Sequence, residues 1–396
     1  MNILITDGEN RSALAATRSL GRNGSTVFVT GLEYKNISVS SKYCTRGFMT
    51  PDPLKDGIKY SETIVNIVRR EKINIIVPMT EQSIYHLNRV RDELPHDVIL
   101  ACPHQEKMDQ VSNKFKLFKM AHDIGIPIPE TIFVNGLDDF FEKEAQITTF
   151  PVVVKPAFSK IADGNELISA GVMYASDRDE LRRLYNKKAE LRYPSLIQEM
   201  IVGEGTGLFT LFDNDRHLAL FSHRRLLEKP PSGGVSVMSE SIPLDPEMVR
   251  SAEKLLSAVA WQGVAMVEFK RDVRDGKAKL MEINGRFWGS LQLAVSSGVD
   301  FPVLCLEYYQ NRMPSMLPAD YTVGHTLKWH FGILDHLIIR LKNGDRLYNL
   351  PPATPTGLQV AWELLNFGNS KSSSDVFDPN DIKPSIAEFY NYIFCQ

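Results

Sequence analysis

Cysteine is scarce. Four cysteines stand in 396 residues, Cys44, Cys102, Cys305 and Cys395. They are too far apart for a CxxC redox pair or a zinc knuckle, and a disulfide-stapled scaffold is not expected at this length. The expectation is four reduced, inert thiols. An excess of charge of one sign is missing too, since 45 Lys+Arg stand against 48 Asp+Glu for a formal net charge of -3. Without a global basic pull or a block of like charge, neither nucleic acid nor anionic membrane is an expected partner, and a phosphate ligand needs a local site. Apolar runs such as INIIVPM fall far short of the ~20 residues that span a bilayer. The first residues, MNILITDGEN, show neither the basic flank nor the long apolar core of a secretion signal. These absences lead to the expectation of a soluble cytoplasmic protein. Internal repeats and heptads are also missing.

At roughly 150 residues per domain the length favours two or three domains. In the first hundred or so residues, short apolar runs alternate with helical patterns: NILIT, then RSALAATRSLGRNG, then STVFVTG. SETIVNIVRREK before INIIVPMT, and YHLNRVRDEL before DVILACP, repeat the theme. Parallel neighbours need such crossovers, so this segment is expected to be an open parallel α/β sheet. Its first turn carries no GxGxxG, which counts against a dinucleotide site and a nicotinamide oxidoreductase. TDGEN and PMTEQS stand at strand ends of the kind that contact ligands. Glu81 has the ordinary reading of a helix-starting carboxylate.

Residues 105–125 are expected as one helix, stopped by Gly125 and the prolines of IPIPET. FPVVVKPAF and PSLIQEMIVGEG are expected strands, and GLFTLFDNDRHLALFSHRRL two strands around an Asn-Asp turn. VAMVEFKRDVRDGKAKLMEINGR is expected to be a hairpin turning at Asp275-Gly276. Beyond about Met313 the pattern is mixed, with GNSKSSSD the most obviously mobile loop.

That hairpin carries the chemistry. Glu268 stands near the end of one strand, and Glu282 and Asn284, two apart and so on one face, near the end of the other. Two carboxylates and an amide oxygen are hard ligands suited to Mg²⁺. Arg286, on the same face, is placed to meet a phosphate. Apolar residues alternate with these polar ones, unlike a solvent-facing strand. Lys155, at the inner end of VVVK, offers a point charge to a phosphate. AFSKIADGNELISAG reads as a loop able to fold over a nucleotide through backbone N–H groups. His223, Arg224 and Arg225 precede a Gly-Gly loop. Alternation pairs His223 with Arg225 on one face, where they could clamp a carboxylate or acyl phosphate, and whether Arg224 or Arg225 faces a cleft stays open. His325, His330 and His336 have spacings that fit no zinc motif. Trp329 and Trp362 are expected in the core.

Taken in order, Lys114, Lys155 in VVVKP, QEMIVGEG, Glu268 in VEFK, and EINGRFWGSLQLAVSSGVDFP resemble the ATP-grasp superfamily, which includes biotin carboxylase, carbamoyl phosphate synthetase and D-alanine ligase. The resemblance covers roughly residues 105 to 310. It implies a mixed α/β and α+β protein: an open parallel domain over 1–104, a nucleotide-binding lid subdomain with its entry helices over 105–202, a catalytic subdomain with the metal hairpin over 203–312, and a C-terminal segment over 313–396 packed on the catalytic lobe. It further implies that Lys114 and Lys155 contact ATP phosphates and that Glu199, Met200 and Ile201 form the adenine hinge. Glu204 would accept the ribose hydroxyls, with Glu199 as the alternative. Glu268, Glu282 and Asn284 would hold Mg²⁺, with Mn²⁺ as a substitute, and Arg286 would stabilise the transferred phosphoryl group.

The expected activity is that of an ADP-forming carboxylate-amine ligase acting through an acyl phosphate on small molecules, amino acids among them. A homodimer is compatible with this reading. The alternatives are a carboxylase or carbamoyl-phosphate-type enzyme using bicarbonate, although no biotin-attachment or glutaminase segment is seen, and a non-catalytic nucleotide sensor.

Overall fold

The computed structural model describes residues 1–158, 160–163, 166–231, 233–312, 321–343, 355–365 and 371–394. Five parallel strands open the chain: β1 (Asn2–Ile5), β2 (Thr26–Gly31), β3 (Cys44–Met49), β4 (Ile75–Val77) and β5 (Ile99–Leu100), in the order β3-β2-β1-β4-β5. Near-continuous apolar runs suit a sheet covered by helices on both faces. Ile3, Leu4 and Ile5 are fully buried between them.

The next sheet is antiparallel, ordered β10-β7-β11-β6, from β6 (Thr131–Val134), β7 (Val152–Pro156), β10 (Met173–Ala175) and β11 (Ser195–Glu199). Between β7 and β10 the expected nucleotide-covering loop is a two-stranded hairpin, β8 (Lys160–Asp163) and β9 (Glu166–Ser169). Residues 159, 164 and 165 of that stretch lie outside the described residues. Phe140 and Tyr185 stack at 3.9 Å in this lobe's small separate core.

A seven-stranded sheet follows, in the order β16-β15-β12-β13-β14-β17-β18. Its strands are β12 (Gly203–Asp213), β13 (Arg216–Lys229), β14 (Val235–Ser241), β15 (Gln262–Asp272), β16 (Ala278–Asn284), β17 (Thr326–Lys328) and β18 (Ser372–Ser374). Asn214, at φ 55°, makes the turn between β12 and β13, and Gly276, at φ 72°, the turn between β15 and β16. Both are conformations that suit these residue types.

Four expectations are corrected. PSLIQEMIVGEG is two strands in two different sheets, joined at Met200–Val202. The helix expected over 105–125 is two helices, Gln105–Ser112 and Lys114–Asp123, because Asn113 leaves helical geometry and its side chain accepts from Lys116 N at 3.0 Å. The expected mobile loop GNSKSSSD contributes Ser372–Ser374 as an edge strand parallel to β17, while its residues 368–370 lie outside the described residues. Trp362, expected in the core, is 68% exposed on helix Gly357–Leu365.

The C-terminal segment is tied to the first domain by acid–base pairs. Arg11, Arg18 and Arg22 lie on one face of helix Arg11–Arg22 and pair with Asp375, Asp381 and Asp378 respectively. The spacing of seven and then four residues brings all three arginines to that face. Among the described residues no helix is long and apolar enough to cross a membrane.

Candidate active site

Alternation along β15 sends Ala265, Val267 and Phe269 into the main core and turns Met266, Glu268 and Lys270 to the other side. On β16, Leu280 faces Phe269 and Glu282 faces Glu268, so Met281 is an extra residue in the ladder. This bulge turns Met281 and Glu282 together into a cleft of about 780 Å³ between the four-stranded and seven-stranded sheets. Every residue expected at the site lines that cleft except Glu204.

Glu268 and Glu282 lie directly opposite each other, and Asn284 Nδ2 donates to Glu282 Oε1 at 2.9 Å and to Glu268 Oε1 at 3.2 Å. Arg286 donates to Asn284 Oδ1 at 3.1 Å and to Phe287 O at 2.9 Å. Lys114 Nζ stands 3.9 Å from Glu282 Oε2. The break at Asn113 makes Lys114 the first residue of its helix, where its N–H donates to Ala157 O at 2.7 Å and the residue is 8% exposed. Lys155, partly buried on β7, lies 5.5 Å from the centre of the Phe118 ring.

The electrostatics follow from burial and crowding. Burial pushes the Lys155 ammonium down to about 8, against the pull of Glu282 and with Lys114 and Lys270 adding to the depression. Burial raises the Glu268 carboxyl, and Glu282 and Glu228 add to that rise against the opposing Arg225. At Glu282 burial is outweighed by Lys114, by the Asn284 hydrogen bond and by Lys155, which together hold its carboxyl low. Two carboxylates and an amide pressed together on facing strands are a donor set that fits a hard divalent cation, which would relieve the repulsion between the acids.

Cross-strand rows connect this centre to the arginine strand. Gly207 of β12 lies between Glu268 and His223, and Gly205 pairs with Lys270 under the Arg225 side chain, whose Cδ would stand 3.2 Å from a Cβ there. A Cβ on Gly207 would stand 2.8 Å from Phe209 Cζ and 3.3 Å from His223 Cδ2, so bare backbone is needed on the cleft floor. His223 is fully buried, with Nδ1 3.3 Å from Ser290 Oγ. Burial, helped by Arg225, holds its imidazole well below the ordinary histidine range and so neutral. Arg225 donates to Glu228 Oε1 at 2.8 Å, to Gly234 O at 3.1 Å and to Glu268. Arg224 faces the other way, pairing with Glu240 at 2.7 Å and Glu204 at 3.4 Å.

That placement corrects one expectation. Glu204 shares the outer face with Arg224, so it is not set to accept ribose hydroxyls. Glu199, the alternative, lines the cleft but is already engaged. It accepts from Glu130 N at 3.0 Å, Lys279 at 2.9 Å and Arg274 at 2.6 Å. Met200 and Ile201 line the cleft on the link between the sheets, and Lys270 Nζ donates to Ile201 O at 3.5 Å. Lys270, Glu228 and Ser290 were missed from sequence. Lys270 had a signal, since it lies two residues after Glu268 on the same strand face.

The histidines hold no centre. His325 Nε2 lies 3.0 Å from Ser373 Oγ, His336 Nδ1 2.5 Å from Glu228 O and His330 Nδ1 3.3 Å from Ser374 Oγ. Among the described residues no three His, Cys, Asp or Glu side chains form a metal-binding group. The hairpin set has two acids completed by an amide.

Residues 222–329, which include the hairpin and the His223–Arg225 strand, match the family described as ATP-grasp in the biosynthetic pathway with Ter operon. Biotin carboxylase from Campylobacter jejuni, solved with β-γ-ATP, superposes with a TM-score of 0.64 at 15% identity, covering 82% of this chain and 74% of that one. The chain has an ATP-grasp fold. L-amino acid ligase from Bacillus licheniformis shares that fold with a TM-score of 0.60 at 18% identity, over 82% of this chain and 78% of that one. In sequence, D-aspartate ligase from Enterococcus faecium (strain Aus0004) is 24% identical over 203 residues, 47% of each chain. The matched stretch therefore spans about half the length of that relative. In this fold the cleft lies between the four-stranded and seven-stranded sheets, with the Glu268–Glu282 pair on its floor.

Proposed function

We propose that this chain is an ATP-dependent ligase that activates a small-molecule carboxylate as an acyl phosphate and joins it to an amine, releasing ADP and phosphate. One observation carries the reading: Lys114, Lys155 and Arg286 meet the Glu268, Glu282 and Asn284 set in a single cleft. The likeness to an L-amino acid ligase fold and the partial similarity to D-aspartate ligase support amino acids as the substrate class. The reading places the reaction in the cytoplasm, where ATP is available.

A free carboxylate does not acylate an amine in water, because the leaving group would be an oxide. One carboxylate oxygen attacks the terminal phosphorus of ATP, the bond from that phosphorus to the bridging oxygen breaks, and ADP leaves with the electron pair. The amine nitrogen then attacks the acyl carbon and loses a proton as inorganic phosphate departs. The chain's part is to position the reactants and neutralise charge.

Lys114 and Lys155 hold phosphate oxygens, and the backbone of Met200 and Ile201 meets the adenine edge. Glu268, Glu282 and Asn284 would hold Mg²⁺, or Mn²⁺, which when bound screens the phosphate charge. Arg286 lies against the transferred phosphoryl group. His223 and Arg225 hold the carboxylate and its phosphorylated form, whose oxygens stay negative throughout.

The test is a phosphate-release screen of the purified protein with ATP, Mg²⁺ and pooled carboxylates, with and without amino acids, followed by mass spectrometry of active wells. Amide products with matching ADP support the ligase. Phosphate release that requires bicarbonate alone would make this a carboxylase-type enzyme. Nucleotide binding without release in any well would leave a sensor.

A further inference from the structure

Two arginines hold the backbone that leads into β14. Arg225 donates to Gly234 O at 3.1 Å from within the cleft. Arg11, which does not line the cleft, donates through Nη2 to Ser236 O at 3.3 Å. A Cβ on Gly289 would stand 3.4 Å from the same Nη2. Ser236 and Gly289 both line the cleft, so the Arg11 guanidinium backs its wall. Gly289 follows Arg286 by three residues and precedes Ser290, whose Oγ lies 3.3 Å from His223 Nδ1. The wall that Arg11 backs is therefore the one that carries Arg286 and meets His223.

The sequence brings Arg11 there by a tight turn. TDGEN follows β1, and Asp7 takes φ 57°, a left-handed conformation that Asp tolerates better than most residues. The Asp7 carboxylate accepts from Ser83 Oγ at 2.7 Å and from Met79 N at 3.3 Å, which fixes the turn against the end of β4. The helix that starts beyond it has Arg11 as its first residue. A strand end of the kind that contacts ligands instead sets a cation behind the cleft.

The other side of Arg11 meets the C-terminal segment. Nη1 pairs with Asp375, which follows edge strand β18 and whose side chain is fully buried. The second oxygen of that carboxylate, Oδ1, has no hydrogen-bond partner among the described residues, so Arg11 is what holds it. Burial raises the Asp375 carboxyl, and Arg11 is the leading charge that opposes the rise. The guanidinium also lies 4.0 Å from the centre of the Trp329 ring. Trp329 N donates to Val237 O at 2.8 Å, and Trp329 Nε1 donates to Glu388 Oε1 at 2.7 Å. Successive carbonyls of β14 are thus bound by Arg11 and Trp329, each of them held by an acid of the C-terminal segment.

We infer that Arg11 is a positioning residue for the carboxylate end of the cleft: anchored on Asp375 and Trp329, it holds Ser236 and the Gly289 turn, so that use of the carboxylate depends on the C-terminal segment while ATP binding does not. The inference rests on the ligase reading in taking the end with His223 and Arg286 to receive the carboxylate.

The experiment compares three variants of the full chain. Arg11→Lys keeps a positive charge beside Asp375 but gives up the rigid fork that reaches Asp375 and Ser236 together. Arg11→Met removes the charge as well. Arg22→Met is the control, since Arg22 pairs with Asp378 of the same segment at a more exposed site. Calorimetry measures ATP binding, phosphate release measures kcat/KM for a carboxylate active in the screen, and hydrogen exchange measures amide protection over 234–237 and 289–291. Arg11→Lys should lower kcat/KM at least ~10-fold, because small misplacements of reacting groups have effects of that size or larger. Its ATP affinity should move by no more than about twofold, and exchange should quicken in both segments. Arg11→Met should do the same or more, and Arg22→Met should do neither; the lysine variant decides should the methionine variant fold poorly. Unchanged kcat/KM in Arg11→Lys, or ATP affinity lost by the same factor, would make Arg11 an ordinary domain tie and overturn the inference while leaving the ligase reading intact. A wild type with no carboxylate-dependent phosphate release would overturn the ligase reading and the carboxylate part of this inference, and unchanged exchange in Arg11→Lys would overturn the rest.

Discussion

Glu268 and Glu282 face each other across β15 and β16, and the Asn284 amide donates to both. Two acids so close, under burial, hold each other in a state that a divalent cation would relieve. Glu282→Gln keeps the shape and removes one anionic ligand. Turnover should fall at least ~100-fold, equivalent to ~2.7 kcal/mol of transition-state stabilisation. A turnover assay across a Mg²⁺ titration checks this, and near-normal rates at saturating Mg²⁺ would sink the metal assignment.

Lys155 gives a prediction in pH. Its ammonium is pushed down to about 8, chiefly by burial. Bound phosphates favour the charged form, so below that pH the lysine is already protonated and above it binding must take up a proton. Affinity for ATP in the presence of a chelator should be flat below about 8 and then fall with rising pH, by up to ~10-fold per unit. Adenosine binding should not follow this curve, and Lys155→Met should abolish it. A wild-type profile that stays flat from neutral to alkaline pH would show that Lys155 does not meet phosphate.

Gly203 opens β12 opposite Asp272, and a Cβ there would stand 1.8 Å from Arg271 O and 2.8 Å from its carbonyl carbon. Both atoms are backbone and cannot swing aside. Gly203→Ala should cost about 3 kcal/mol or more in chemical denaturation, near the upper end of overpacking effects. An unchanged denaturation midpoint would mean that the strand start relaxes freely.

The pair Arg18–Asp381 ties the first domain to the C-terminal segment, with side chains 2% and 1% exposed. Asp381→Asn leaves the buried guanidinium without its counter-charge and should cost roughly 3 kcal/mol of stability. Burial raises the Asp381 carboxyl, but the Lys42 amide, Ser41 and Arg18 outweigh it and leave the group below the ordinary aspartate range. Its contribution is therefore fully present above that range and lost as pH falls through the depressed value. The asparagine variant should lose this part of the acid dependence in thermal melts taken from neutral to acid pH.

Much of this was legible because the hairpin beyond its bulge at Met281 obeys a period of two. VEFK and MEINGR alternate apolar and polar residues, so Glu268, Glu282 and Asn284 could be placed on one face before any coordinates. Glu228 could not, since regular alternation assigns it to the wrong face and only the register shifts after Arg225 bring it inward. Glu204 came from the resemblance alone, and alternation along β12 puts it on the face of Arg224. The break at Asn113 was hidden because the apolar spacing continues from one helix into the next. In the first domain β3, CTRGFM, shows neither an apolar run nor clean alternation and was not anticipated. Trp362 shows that a large apolar residue in a helical pattern does not by itself indicate burial.

In the proposed reaction the carboxylate is phosphorylated before the amine reacts. The most direct measurement incubates the protein with ATP, Mg²⁺ and an active carboxylate from the screen, omits the amine, and adds hydroxylamine. A ligase of this kind yields a hydroxamate of that carboxylate together with ADP and phosphate, and Arg225→Ala lowers the hydroxamate yield. A stable phosphoester product with no hydroxamate would contradict the account and make the protein a kinase on the same fold.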